Sequence, residues 1–505
     1  MASLSLPVRL AFGVGQLAEA VKNSGFNVFL LFFYNQVLGV SASLTGLALA
    51  AALVVDAISD PVVGSYSDKL RTRYGRRHPL IALAAVPMAL CFYLLFNPPE
   101  GLPDLAYFFW LLTFAVAVRL SLTFYHIPHL ALGAELAEGY QERSSLYAAS
   151  TFFGFLGGAL FVPISYRLFF PTTEAFNPGL LNATAYQSWS LFSAVVILAA
   201  IWICALGTLS ELPRLLSKSY APAPKVSPRQ VLGEFLAAFS NRSFRAIFFG
   251  MMLSTFILAV ESIFNPFMGF HFWGMTTEQL SLIPLFQLAG LVASLVALGP
   301  LTRVIEKKWL LVGSAVLVIL NINAPIVLAL AEVSWLPDRG TQAMLILLII
   351  SGFLTAFLGP MIFATVNSMF ADITDEHELE TGHRREGVIF AVRGFAVKVN
   401  SSLGIVLGGF LLDLIAFPKG AKMGTVDDEI VWQLGFIAGP ATSVFSTIGV
   451  LCYLFYRIDR RRHQEILDAL GDRSPNAQGL ATSGVEGGAR SAPAGDDHNV
   501  QGGSR

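Results

Sequence analysis

Charge is what this chain has least of. Asp, Glu, Lys and Arg make up 13% of its 505 residues, against about 25% in an ordinary soluble domain. That shortage excludes a large soluble globule. The formal net charge of -1 leaves no basic excess to hold nucleic acid. Cysteine is nearly as scarce. Cys91, Cys204 and Cys452 each sit inside an apolar run, with no metal-ligand spacing and no disulfide framework, so they read as small core residues. There is no Gly-x4-Gly-Lys-Ser/Thr phosphate loop and no nucleophile–base set, which speaks against ATP-driven work and against an enzyme. No cofactor is expected. Arg9 precedes an apolar run that continues past Leu38 without a small-residue cleavage site, the pattern of a retained first span and not of a cleaved signal.

Apolar runs of about 20 residues are what the chain has in plenty. Twelve are predicted, near 10–38, 43–66, 79–97, 105–133, 147–170, 188–210, 244–271, 279–301, 309–331, 342–370, 387–415 and 431–456. Lys and Arg gather in alternate loops, from Lys69 to Arg77, at Arg143, from Arg214 to Arg245, at Arg303, Lys307, Lys308, Arg384 and Arg385, and from Arg457 to Arg462; the intervening loops hold only Arg167, Arg339, Lys419 and Lys422. Positive charge marks the cytoplasmic side, so both termini are predicted there. A polar stretch with Ala221-Pro222-Ala223-Pro224 divides the spans six and six. The expected fold is an all-α membrane protein of twelve transmembrane helices in two six-helix bundles, residues 1–210 and 244–457, joined by a cytoplasmic loop at 211–243 and followed by a cytoplasmic tail at 458–505. The tail begins with a short helix near Gln464–Leu470, and from Gly471 onward its composition is that of a disordered segment. Two pseudo-symmetric bundles place a solute site between them near the midplane.

Charged residues inside the apolar runs are the exception to this pattern, and each needs a reason. Asp56 and Asp60 are four residues apart on one helix face. One such carboxylate costs about 2.5–3.5 kcal/mol on insertion scales, and two repel each other. A bound cation, a proton or a nearby Lys or Arg offsets that cost. Span one carries Glu19, Lys22, Asn23 and Asn27 as a polar stripe, in which Glu19 and Lys22 can pair or line a solute cavity. Span four carries Arg119, Thr123 and His126 on one stripe, with His126 read as lining a polar cavity without carrying a proton. Span seven carries Glu261, and span eleven carries Arg393 and Lys398. Acids and bases nearly balance, as burial demands, and they come from both halves, as a centre that rearranges would require. Asp68, Arg76, Arg77 and Arg143 at the cytoplasmic ends, and Asp372, Asp375, Arg384 and Arg385 after span ten, form complementary clusters that read as gate salt bridges. The Asp372–Glu386 stretch has no fixed metal-ligand spacing.

Four stretches together resemble one family. They are Asp56-x3-Asp60-Pro61-x2-Gly64 with Gly75-Arg76-Arg77-His78-Pro79; Ile127-Pro128-His129 through Glu135 to Glu142-Arg143; Phe32-Phe33-Tyr34 with Leu38-Gly39-Val40-Ser41; and Ala371-Asp372-Ile373-x-Asp375 through Arg384-Arg385-Glu386-Gly387 to Lys398. The chain is similar to the glycoside–pentoside–hexuronide:cation symporters of the major facilitator superfamily, whose best-known member is the melibiose permease. The resemblance implies a secondary active carrier that couples Na⁺ or H⁺ to a small solute by alternating access. It assigns Asp56, Asp60, Ser59 and Thr123 to the cation and Lys398 to coupling. At the permease's sugar-recognition positions this chain departs, with Ala20 beside Glu19, and with His126, Leu130 and Thr151. A sugar or glycoside is the expected solute, with membrane lipid around a monomeric carrier. The alternatives are a sodium-coupled lysophospholipid carrier and a membrane sensor that moves nothing.

Overall fold

The computed structural model describes residues 4–137, 139–217, 239, 241–381 and 386–472. Arg384, Arg385, most of the central loop and the tail beyond residue 472 lie outside them. The protein is helical throughout the described residues: α1 Leu6–Val14, α2 Gln16–Ser24, α3 Ala42–Lys69, α4 His78–Leu95, α5 Asp104–Leu136, α6 Tyr140–Leu168, α7 Ala185–Gly207 and α8 Leu212–Ser217, then α9 Arg242–Ser254, α10 Phe256–Phe267, α11 Thr277–Leu280, α12 Ile283–Val304, α13 Lys307–Leu330, α14 Gln342–Thr381, α15 Glu386–Leu414, α16 Asp428–Phe436, α17 Thr442–Tyr453 and α18 Arg460–Asp472.

Eleven helical stretches among the described residues are long and apolar enough to cross a membrane. The predicted first span is not one continuous α-helix. It runs through α1 and α2 into two π-helical turns, Gly25–Leu30 and Phe33–Val37. A π turn takes an extra residue per turn, so the helical spacing on which the stripe from Glu19 to Asn27 rested does not carry through, and Asn27 is exposed apart from the others. The tenth span also differs from expectation. It does not end at Phe370 but continues to Thr381, which puts Asp372 and Asp375 three residues apart on a helix and not in a loop. The helix at the start of the tail is longer than its predicted core.

Aromatic side chains fill the first half. Trp189 is fully buried among Phe29, Phe92, Phe96 and Phe170. Its indole N–H donates to Ser165 Oγ at 2.9 Å, and the Tyr34 hydroxyl donates to the Leu95 carbonyl at 2.8 Å. Each large ring thus buries its apolar body and keeps its polar handle satisfied.

The two halves of the chain are tied together at one end. Asp413, near the end of α15, accepts hydrogen bonds from the Ser41 hydroxyl (2.6 Å), the Ser43 hydroxyl (2.5 Å) and the Ala42 and Ser43 N–H groups (3.1 and 2.8 Å). It therefore caps the N-terminus of α3 from the other half, where unpaired N–H groups and the helix dipole favour an anion. The helices behind this cap almost touch. A side-chain carbon on Gly409 would lie 2.3 Å from the Ala42 carbonyl, and one on Gly46 would lie 2.8 Å from the Ile405 carbonyl. At the same end Gln36 bonds the backbone of Pro418 and Ala421, Arg167 donates to Ser281 at 2.9 Å, and the Thr172 N–H donates to Glu278 at 2.7 Å.

Candidate functional site

The centre of the molecule is set by three helices. α3 begins at a Ser41 cap, is rich in Ala and Leu over its first half, and then carries Asp56, Ser59 and Asp60. Pro61 follows inside the helix; lacking an N–H, it leaves the Ala57 carbonyl without its usual donor. α5 packs along α3 and brings Arg119, Thr123 and His126, and α15 packs on α3 from the other half and brings Lys398.

Thr123 is the hub. Its Oγ1 lies 3.1 Å from Asp56 Oδ1 and 3.1 Å from Asp60 Oδ1, with the Ser59 hydroxyl 3.4 Å away. One hydroxyl proton serves only one of these acceptors at a time, so the oxygens that converge here outnumber the protons they share. The second carboxylate oxygens face cations. Lys398 Nζ lies 2.5 Å from Asp60 Oδ2 and 3.5 Å from Asp56 Oδ2, and an Arg119 guanidinium nitrogen lies 3.6 Å from Asp56 Oδ2. Arg119 also stands over the Phe26 ring, 5.1 Å from its centroid. All of the residues assigned to the cation, together with Lys398, thus meet in one cluster. A set made only of oxygens suits a hard cation or a proton.

Beside this cluster the structure corrects one pairing. Glu19 does not meet Lys22. It bonds to the Gln16 amide and pairs with His126 Nδ1 at 3.1 Å, because His126 faces α2 across the interior while Lys22 points another way. Lys22 Nζ donates to Asn23 at 3.0 Å and lies over the Phe26 ring. His126, one turn beyond Thr123, thus stands against Glu19 and forms an ion pair with it when its ring is protonated. Glu261 and Arg393 join no ion pair or hydrogen bond among the described residues. The buried Nε of Arg393 has no partner, and Glu261 lines a separate cleft of the second half.

Several of the gate residues meet partners in their own half. Arg77 bonds Asp68 Oδ1 at 2.5 Å, Glu135 Oε1 at 2.8 Å and the Ser67 hydroxyl at 2.6 Å, and Arg76 meets Glu135 at 2.9 Å. Asp372 receives Lys307 on both oxygens at 2.8 Å, the Tyr456 hydroxyl at 3.1 Å and His463 at 3.4 Å. His463 also reaches Asp375 at 3.4 Å. Burial, with the Asp372 charge beside it, pushes the Tyr456 phenol far above its ordinary range. Each of these carboxylates meets a base of its own half. Arg143 is exposed. Among the described residues no three His, Cys, Asp or Glu side chains gather as metal ligands. Sequence reasoning met Glu135 only within a motif and Lys307 only as a loop charge, and passed over His463, Gln16 and Asp413. Asp413 had a signal, being a carboxylate left among leucines near the end of an apolar run.

The family model described as MFS/sugar transport protein matches residues 11–460. The chain belongs to that family. Family members are secondary active carriers of small solutes, so this chain is a multi-pass integral membrane transporter and not an enzyme. It is 26% identical to an uncharacterized symporter of Synechocystis sp., over 94% of this chain and 98% of the relative. It is 22% identical to the isoprimeverose transporter of Lactiplantibacillus pentosus, over 91% of this chain and 90% of the relative. Among solved structures it is similar in fold to a bacterial homologue of the human lysosomal transporter Spinster, with a TM-score of 0.61 at 14% identity, covering 92% of this chain and 97% of that one.

Proposed function

We propose that this chain is a cation-coupled symporter of the glycoside–pentoside–hexuronide branch, carrying a sugar or glycoside with Na⁺ or H⁺ as co-cargo. The observation that carries the reading is the bridge from Lys398, in one half, to Asp60 and Asp56 in the other. An ammonium and an incoming cation compete for the same Asp60 oxygen. When the cation takes that oxygen, Lys398 is displaced and the link between α3 and α15 is cut. When the cation leaves, Lys398 returns and spares the membrane interior two bare carboxylates, which are expensive there.

The same reading takes residues 1–210 and 244–457 as two six-span bundles that rock about the site, with both termini cytoplasmic in the plasma membrane. In that orientation the end tied by Asp413 is the outer one. The solute would lie beside the cation. Gln16, Glu19 and His126 offer both donors and acceptors for hydroxyl groups, and His126 shares a helix face with Thr123, so a solute shift is felt at the cation site. The isoprimeverose transporter among the relatives supports a sugar or glycoside over an amphiphile.

The test is uptake into proteoliposomes of isoprimeverose, a set of nitrophenyl glycosides and a lysophospholipid, driven by a Na⁺ gradient alone or a pH gradient alone. Uptake of a glycoside under one gradient is the expected result and identifies the ion. Movement of the lipid alone would overturn the solute class. Uptake indifferent to both gradients would overturn the coupling.

A further inference from the structure

At the end away from Asp413 the first half carries a cavity of about 570 Å³ between the α3–α4 loop, the end of α5 and the short helix α8. Four guanidinium groups line it, from Arg71, Arg73, Arg76 and Arg77. The loop that brings them is a built turn. The Thr72 hydroxyl donates to the Gly75 carbonyl at 2.6 Å and accepts from the Tyr74 N–H at 3.1 Å, and the Gly75 N–H donates to the Thr72 carbonyl at 3.0 Å. Gly75 has a φ of 77°, a conformation that favours glycine, and it lies against Leu212 of α8. Arg71 and Arg73 therefore flank a fixed residue.

The acids nearby are already used. Among the described residues that line the cavity Glu135 is the one carboxylate, and its Oε1 holds both Arg76 and Arg77. Asp68 also holds Arg77. Arg71 and Arg73 meet no carboxylate among the described residues. Arg71 reaches the Asp68 and Leu70 carbonyls at 3.4 and 3.5 Å, and Arg73 lies over the Tyr74 ring, 4.8 Å from its centroid. The preference of Lys and Arg for the cytoplasmic side accounts for basic loops in general, but not for this imbalance. The second half has a cavity of about 600 Å³ at the same end, and there Glu306, Asp372 and Asp459 stand against Lys307, Lys308, Arg457 and Arg460. Guanidinium forks without acids, facing one space, suit an oxyanion, and phosphate above all. The remaining wall is apolar. On α8, Leu215 is buried and Leu216 is exposed beside it, close to where α3 and α5 end.

We propose that this cavity binds a phosphate group through Arg71 and Arg73, and that the leucine wall assigns the phosphate to an anionic phospholipid of the adjoining leaflet. Basic pockets beside spans hold such headgroups. The lipid braces the loop that carries Arg76 and Arg77 against α8 and leaves Arg77 with Glu135 and Asp68. The site does not depend on which solute is carried.

The test uses the full chain in a neutral detergent, with phosphatidylglycerol, phosphatidylcholine or inorganic phosphate added in turn, and reads the melting temperature against concentration. Phosphatidylglycerol should raise it saturably, and phosphatidylcholine should not. Arg71→Gln with Arg73→Gln should raise the half-effective concentration of phosphatidylglycerol about thirtyfold, the scale of two basic residues facing an anionic lipid. Arg457→Gln with Arg461→Gln, which removes the same charge from the same end, should leave it as in the parent. Native mass spectrometry gives the count: the parent should retain one phosphatidylglycerol more than the Arg71 and Arg73 variant. Equal losses in both double variants would reduce the effect to general charge and overturn the site. No shift in the parent, or an equal shift with phosphatidylcholine, would overturn it as well. A shift with inorganic phosphate that matches phosphatidylglycerol and is lost with Arg71 and Arg73 would overturn the lipid and keep the phosphate site. If the double variant does not fold, Arg71→Gln and Arg73→Gln made singly carry the same comparison, each with part of the loss.

Discussion

The two halves of this carrier differ in how they answer the charges inside their spans. In the first half almost every buried charge is answered by protein. Asp56 and Asp60 share Thr123, Arg119 and Lys398, and Glu19 has His126 and Gln16. In the second half neither Glu261 nor Arg393 meets an ion-pair or hydrogen-bond partner among the described residues. A closed network holds its own geometry, and an incoming cation acts on it only by exchange, displacing one member. An unsatisfied set has nothing to displace and gains by direct binding. Exchange suits coupling, because it links arrival of the ion to a break between halves, while direct binding suits recognition.

At the polar end away from Asp413 both halves answer their carboxylates, and the difference lies in the base. In each half, a base meets a carboxylate of a long helix: Arg76 and Arg77, in the loop after α3, on Glu135 of α5, and Lys307, the first residue of α13, on Asp372 of α14. Arginine's planar fork spans Glu135, Asp68 and Ser67 at once. The lysine is a point charge, and Asp372 recruits Tyr456 and His463 to complete its shell.

The comparison can be broken most severely at Asp60. Asp60→Asn removes the oxygen for which Lys398 and the cation compete. It should lower cation-driven accumulation about a hundredfold or more, the scale of losing one partner of a buried ion pair, with the protein still in the membrane. Retained coupled uptake would sink the exchange argument. Lys398→Met should cost about tenfold in coupling, while Lys419→Met, far from the cluster, should stay near the parent, as surface changes do within about 0.5 kcal/mol; equal effects would remove Lys398 from the centre.

Asp413→Asn weakens the cap on α3. Loss of a cap costs about 0.5–2 kcal/mol, so the tied end should open roughly two- to thirtyfold more often. Maleimide labelling of Val40→Cys, in a background lacking the three native cysteines, reads that opening, and unchanged labelling would deny Asp413 a latch role. The smallest effect separates the two polar clusters. Arg77→Met takes the arginine from Asp68 and Ser67 and leaves Glu135 to Arg76, and it should lower the melting temperature by several degrees more than Lys307→Met, whose Asp372 keeps Tyr456 and His463. A reversed order would show that the arginine fork is not the stronger tie.

Much of this was legible in the chain. Scarce charge and repeated apolar runs gave the helical membrane fold, because a bilayer admits only backbone that satisfies itself. Asp56, Asp60, Thr123 and Lys398 stood out because charge is costly in such runs, and cost marks purpose. Their spacing along single helices was readable as well, since the 3.6-residue period is local.

Pairing between helices was not readable, because it depends on how helices rotate against one another. Glu19 was within reach of Lys22 by spacing, yet tertiary packing gave it His126. Asp372 and Asp375 looked like loop acids until the helix ran on beneath them. Asp413 finds α3 only because Gly46 and Gly409 let two helices touch, and Glu261 is distinctive only because no neighbour turns toward it. The sequence by itself determined which residues must be explained, since the price of burying a charge is set by its surroundings in the membrane and not by its partner. Tertiary structure alone decided which of them explain one another, since a partner is a matter of a few ångströms between segments hundreds of residues apart.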